Sequence, residues 1–126
     1  MSKPKNLTDY GAAAEQYASA ELHLRGFFIS YSVTDKTPYD FIADRDGKLF
    51  KIQVKGTFKE EDGRGGYRFT IRNNRGPYTA KEVDFYILYV HPTREFYVIP
   101  FAFVTTQTVR VGKKLDQFKN AWHLLK

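Results

Sequence analysis

The sequence predicts an α/β (α+β) fold, a mixed β-sheet with a helix near each end of the chain. Three observations predict it. Asp46-Gly47 separates two runs of alternating apolar residues, the pattern of a tight β-hairpin. Residues 83–90 (VDFYILYV) are near-continuously apolar, as a strand buried on both faces must be. Apolar residues also recur at helical spacing towards both termini.

Taken in order, residues 1–7 form a short basic arm. Thr8 is the expected N-cap of a helix that runs to about residue 25 and stops at Gly26 in the C′ position. Tyr10, Ala13, Tyr17, Ala20 and Leu24 follow one another at spacings of 3, 4, 3 and 4, which predicts one buried stripe. Glu15 lies off that stripe, beside Ala18 and Leu22 on its flank, within reach of the edge of whatever the helix covers. Residues 27–33 read as a first strand and 34–38 as a turn.

The hairpin over residues 38–55 organises the rest. A type I′ turn needs positive φ at both central positions, which Asp-Gly supplies. If Asp46-Gly47 is the whole loop, opposed residues have numbers summing to 93, so Phe41 faces Ile52 and Asp40 faces Gln53. Side chains alternate with period two. Tyr39, Phe41, Ala43, Phe50, Ile52 and Val54 then share an apolar face, and Asp40, Gln53 and Lys55 converge on the other.

Residues 56–66 are polar, and 67–72 alternate cleanly, with Tyr67, Phe69 and Ile71 inward and Arg68, Thr70 and Arg72 outward. A turn-rich loop over 73–78 leads to the apolar strand at 83–90, a turn at 91–94 and a strand at 95–99. Residues 101–111 carry no decisive pattern, and Leu115, Phe118, Trp122 and Leu125 predict a closing helix.

At 126 residues, 42% hydrophobic and 17% aromatic, the chain is expected to form one globular domain over 1–126. With no cysteine, disulfides and thiolate metal sites are excluded and a reducing compartment is indicated. No apolar run is long enough to cross a bilayer, and the N-terminal residues lack a signal-peptide pattern, so a cytoplasmic, DNA-associated location is expected. A formal charge of +6 favours a polyanionic partner. Between Gly63 and Lys81 stand Arg64, Arg68, Arg72, Arg75 and Lys81, with no acidic residue. Such a group is either an ordinary solvated face or a track for a phosphate backbone, and the lack of acidic neighbours favours DNA. Arg68 and Arg72 are also candidates for guanine contacts, because a β-ribbon can enter the major groove. His23, His91 and His123 lack metal-ligand spacing, and no Gly-rich loop carries the Lys-Ser/Thr of a nucleotide site, so no nucleotide cofactor is expected.

Hydrolysis of a phosphodiester needs a hard cation that neutralises the phosphate and acidifies a water, plus a group that orients that water. Magnesium takes oxygen ligands and uses only one or two protein carboxylates. Asp40 offers a carboxylate, Gln53 an amide oxygen and Val54 a backbone carbonyl, with Glu15 able to reach in from the helix. Lys55 could position the nucleophile or stabilise developing charge.

Asp40, followed thirteen residues later by Gln53-x-Lys55 and preceded by a helical Glu15, resembles the core of the PD-(D/E)XK nucleases. Pro38-Tyr39-Asp40 stands where the family has Pro-Asp, with one residue inserted, and Gln53-Val54-Lys55 where it has (Asp/Glu)-x-Lys. The resemblance covers residues 8–60 best. It implies a restriction-endonuclease-like core of mixed sheet flanked by helices. It also implies magnesium-dependent cleavage of double-stranded DNA (manganese as substitute), a homodimer or homotetramer, and catalytic roles for Glu15, Asp40, Gln53 and Lys55.

Gln53 departs from the family pattern, since a neutral amide binds a cation more weakly than a carboxylate. The Glu…Asp…Gln-x-Lys form in a small basic chain is most similar to the PD-(D/E)XK homing endonucleases of group I introns. Archaeal Holliday-junction resolvases are similar in size but carry Glu in place of Gln. The expectation is therefore a site-specific endonuclease, with a branched-DNA resolvase or a non-catalytic DNA-binding module on the same fold as alternatives.

Overall fold

The computed structural model describes residues 6–34, 36–60, 66–72 and 76–126. Helix α1 (Leu7–Leu24) opens the fold, capped by Asn6, whose side chain accepts the Asp9 N–H at 3.0 Å. The cap is thus two residues before Thr8, because Asn6 lies in extended backbone and can turn its oxygen onto the first free amides. The helix ends as predicted at Gly26, with φ 88°. Gly26 N–H donates to His23 O and Phe27 N–H to Leu22 O, both at 3.1 Å, the paired bonds of a Schellman stop.

The buried face of α1 is Ala14, Ala18, Ser19 and Leu22, not the Tyr10–Leu24 stripe; Tyr17 and Leu24 are exposed. The reason is the closeness of the sheet. A Cβ on Gly56 would stand 2.9 Å from Ala14 Cβ, so at this crossing point only a small helix side chain fits against the sheet. Tyr17 is turned to the rim, where it meets Tyr89 at 5.3 Å.

Strands β1 (Phe28–Ser30), β2 (Phe41–Arg45), β3 (Lys48–Thr57), β5 (Phe85–Val90) and β6 (Glu95–Pro100) form one sheet in the order β1-β2-β3-β5-β6. β3 and β5 pair in parallel and all other neighbours are antiparallel, giving the predicted mixed sheet. The hairpin has the predicted register, Phe41 opposite Ile52 and Arg45 opposite Lys48, with positive φ at Asp46 and Gly47. β1 is shorter than the residue 27–33 expectation, an edge strand whose Phe28 is exposed. β4 (Arg68–Thr70) pairs antiparallel with β7 (Thr108–Arg110) in a separate two-stranded sheet, so the segment at 101–111 without a pattern supplies a strand.

The main sheet has a core on each face. On one side Ala14, Ala18 and Leu22 of α1 meet Phe41, Ala43, Ile52, Val54, Ile87 and Val98. On the other, Phe69, Ile71, Tyr78 and Val83 meet Tyr86, Leu88, Val90, Tyr97 and Ile99. β5 thus contributes to both cores, as its continuous apolar run requires.

The closing α-helix does not form. Residues 113–126 make two short 3₁₀ turns, Lys113–Phe118 and Trp122–Leu124, broken at Asn120 with φ 52°. Leu115 and Phe118 enter one core, while Trp122 and Leu125 enter the other. The segment wraps the β6 edge, where Asn120 N–H donates to Phe96 O at 2.9 Å, and a straight helix cannot reach both faces. Among the described residues no helix is long and apolar enough to cross a membrane.

Candidate active site

Asp40 stands one residue before β2, at the end of the β2–β3 pairing away from the Asp46-Gly47 turn. Its N–H donates to Ile52 O at 2.8 Å, continuing the ladder one residue beyond β2, and its Oδ2 accepts the Val54 N–H at 2.7 Å. One carboxylate oxygen is thereby anchored to β3, and the orientation of the group is fixed by backbone. Burial raises the Asp40 pKa, while the Val54 N–H and the Lys55 charge pull it back.

Glu15 approaches from α1. The two carboxyls line one cavity of about 480 Å³, with Tyr31, Ser32, Thr34, Thr37 and Tyr39 on its walls. Burial, and then the Asp40 charge, push the Glu15 pKa from an ordinary 4.5 to about 7. Two partly desolvated carboxyls in one cavity, with the Asp40 charge raising the proton affinity of Glu15, make an arrangement that a cation would relieve.

Lys55, one residue past Val54 on β3, faces the same region. Its Nζ donates to Arg72 O at 3.4 Å and lies 5.4 Å from the centre of the Tyr78 ring. Burial lowers its pKa, and the Asp40 carboxylate opposes that shift. Gln53 is buried, and its Nε2 donates to Val54 O at 3.2 Å. The amide must therefore present its oxygen, not its nitrogen, to serve as a ligand beside that carbonyl.

Glu15, Asp40, Val54 and Lys55 are thus brought together, with Gln53 linked through the Val54 carbonyl. Among the described residues no group of three or more His, Cys, Asp or Glu side chains could hold a metal ion. The donors on offer are two carboxyls, one amide oxygen and one backbone carbonyl. That all-oxygen set, poor in carboxylates, suits magnesium, which keeps several of its waters.

The basic residues divide. Arg68 and Arg72 are exposed on and just after β4, and the Arg72 carbonyl touches Lys55. Lys81 is also exposed, but its carbonyl accepts from Lys51 Nζ, four residues back along β3 from Lys55. Arg64 and Arg75 lie outside the described residues. His91 has a structural place, its Nε2 3.0 Å from Tyr10 O and its ring against Tyr10 and Tyr89.

Sequence reasoning missed Tyr78, which is buried beside Lys55; burial and the nearby Asp40 and Glu82 charges push its pKa up to about 12. Its one signal was being the lone aromatic residue in the stretch 73–84.

Comparison with known proteins agrees with this geometry. A family profile described as PD-(D/E)XK endonuclease matches residues 5–123. No curated protein matches the chain by sequence. Among solved structures, the chain is similar to a bacterial homing endonuclease, I-Ssp6803I, with a TM-score of 0.78 and 26% identity over 94% of this chain and 92% of that one. It shares its fold with Hjc, a Holliday junction resolvase from the archaeal hyperthermophile Archaeoglobus fulgidus, at a TM-score of 0.55 and 14% identity over 86% and 88% of the two chains. With the profile spanning nearly the whole chain and the Asp40/Gln53-x-Lys55 hairpin folded as its register requires, the chain belongs to the PD-(D/E)XK endonuclease family.

Proposed function

We propose that this chain is a magnesium-dependent DNA endonuclease of the homing type, cutting both strands at a defined sequence. The observation that carries the reading is the anchored Asp40 carboxylate, 2.7 Å from Val54 N–H, with Glu15 sharing its cavity and Lys55 within electrostatic reach. Asp40, Val54 O and the Gln53 amide oxygen would hold the magnesium ion, and Glu15 would assist directly or through water. The chemistry a cation would supply there is charge neutralisation at the scissile phosphate and a more acidic water. Lys55 orients that water and stabilises the charge that develops on the phosphate. Its depressed pKa suits it to hold a proton loosely.

Gln53 distinguishes this site from one with three carboxylates. With a neutral amide the donor set carries less charge, so the cation would be held more weakly. The likeness to a homing endonuclease over almost the full length of both chains favours sequence-specific cutting. The resolvase shares only the fold.

One such site cuts one strand. A double-strand break therefore requires at least a two-fold dimer, and a pseudo-palindromic target follows from that symmetry. Single-domain organisation over residues 1–126 and action on intracellular double-stranded DNA belong to the same reading. The test is digestion of a complex genomic DNA in magnesium, followed by sequencing of the ends. Cuts within one recurring sequence are expected. Ends scattered over unrelated sequences, or cuts confined to four-way junctions, would overturn the homing reading.

A further inference from the structure

One wall of the cavity shared by Glu15 and Asp40 carries no charged group. Tyr31, Ser32, Val33 and Thr34, in the loop that follows β1, line it beside the two carboxyls. Two of these four side chains are large and apolar yet stand in solvent: Val33 is fully exposed and Tyr31 is 52% exposed. The loop is held from behind. The Tyr31 ring meets the buried Phe41 ring edge-on at 5.7 Å, and Phe41 directly follows Asp40. Thr34 N–H donates to Ser32 Oγ at 3.2 Å, which closes the loop on itself.

A phosphate drawn to a cation at the carboxyls does not enter the cavity alone, because the sugar and base attached to it come with it. The surface that meets those groups must be uncharged, with apolar area for the deoxyribose and base edge and hydroxyls for the remaining polar atoms. The 31–34 loop is such a surface. An aromatic ring suits the task, since it offers a large contact area at a low cost in rotamer entropy. The contact with Phe41 positions that ring before any ligand arrives. Val33 adds an aliphatic tip of the kind that meets a sugar or a thymine methyl.

We propose that the 31–34 loop is a DNA-contact element of the candidate active site, in which Tyr31 and Val33 pack against the sugar and base of the nucleotide beside the phosphate held at Asp40 and Glu15. The inference rests on the nuclease reading and extends it to the nucleotide that flanks the cut. Being uncharged, the loop acts through contact with the base edge, and so makes Tyr31 and Val33 determinants of which base stands there.

The chain has no cysteine, so a single introduced one can carry an iron chelate that cleaves only DNA close to it. Val33→Cys bearing the chelate, mixed with a fluorescent random-sequence duplex without magnesium, is expected to bind the duplex and cut it. The same chelate on Lys48→Cys, at the far end of β3 and roughly 16 Å from Gln53 along the strand, should bind and leave the duplex intact. Tyr31→Ser is expected to weaken binding about tenfold, the size of a lost aromatic contact to a base, while Tyr31→Phe keeps it. Thermal melts check that each variant is folded; Val33 is fully exposed, so its replacement should not disturb the chain. If the unaltered protein and labelled Val33→Cys both bind but the label leaves the DNA uncut, the loop assignment is overturned and the nuclease reading stands. Equal cutting from Lys48→Cys would overturn it too, because the contact would not be local to the cavity. Full-strength binding by folded Tyr31→Ser would do the same. If the unaltered protein binds no duplex, the nuclease reading itself fails, and the loop assignment with it.

Discussion

Gly56→Ala tests how the helix is held over the sheet. Gly56 follows Lys55, and Ala14 precedes Glu15, so their contact sets the height of one candidate site residue above another. An added methyl would stand 2.9 Å from Ala14 Cβ and 3.1 Å from His91 Nε2. Neither neighbour is the free end of a flexible chain. Ala14 belongs to the helix, and His91 is held at 3.0 Å from Tyr10 O, while Tyr10 stacks on Phe58 at 4.1 Å. Carbon atoms rest at about 3.5–4.0 Å, so the helix must shift outward by roughly 0.6–1 Å. Overpacking of this kind costs about 1–3 kcal/mol, offset by about 0.4–1 kcal/mol from the stiffer unfolded chain. The expected net loss is about 1–2 kcal/mol, or about 4–8 °C in Tm for a chain of this length. Ala14→Gly alone should lose about 2 kcal/mol through helix propensity and a missing buried methyl. It removes the clash, however, so the double variant should be no less stable than Ala14→Gly alone. Thermal melts of the four proteins measure the coupling. Losses that add to within about 0.5 kcal/mol would refute the argument, because they would mean the two positions do not press on each other.

Further predictions concern the site. Glu15 binds its proton more tightly when folded, with a pKa of about 7 against an ordinary 4.5, so protonation favours the fold and stability falls as pH rises through that window. Melts of Glu15→Gln in EDTA should show less of that decline between about pH 4.5 and 7; a pH profile parallel to the unaltered protein's would contradict the burial argument. Tyr78→Leu should lower kcat more than Tyr78→Phe, because the ring under the Lys55 ammonium, not the hydroxyl, holds it; equal losses would assign the effect to the hydroxyl. Gln53→Glu adds a third carboxyl, so calorimetry should show tighter magnesium binding and melts in EDTA a lower Tm. Unchanged magnesium affinity would remove Gln53 from the donor set.

What could be read from the sequence was local. The hairpin register followed from two residues, Asp46 and Gly47, whose conformational demands are met within the turn, and the alternation of flanking side chains fixed which of them face together. Asp40, Gln53 and Lys55 were therefore legible as a group on one face of the hairpin. Glu15 was legible as a flanking residue even though the stripe it flanked was misread. That misreading had a distant cause: hydrophobicity ranked Tyr17 and Leu24 above Ala14 and Ala18, while the close approach at Gly56 admitted only the small ones. The same limit hid Tyr78, which reaches Lys55 through a crossover that no local pattern encodes. The closing segment kept its apolar spacing but split it between two cores, a choice made by the β6 edge.

The most direct test of the account is cleavage of duplex DNA by matched preparations of the unaltered protein and Asp40→Ala, each with magnesium and with EDTA. The account predicts discrete fragments only from the unaltered protein with magnesium, while both proteins still bind DNA. Cleavage that persists in Asp40→Ala would place the active site elsewhere. Binding by the unaltered protein with no metal-dependent cut in any duplex or junction would mean that Gln53 marks a site that no longer cuts.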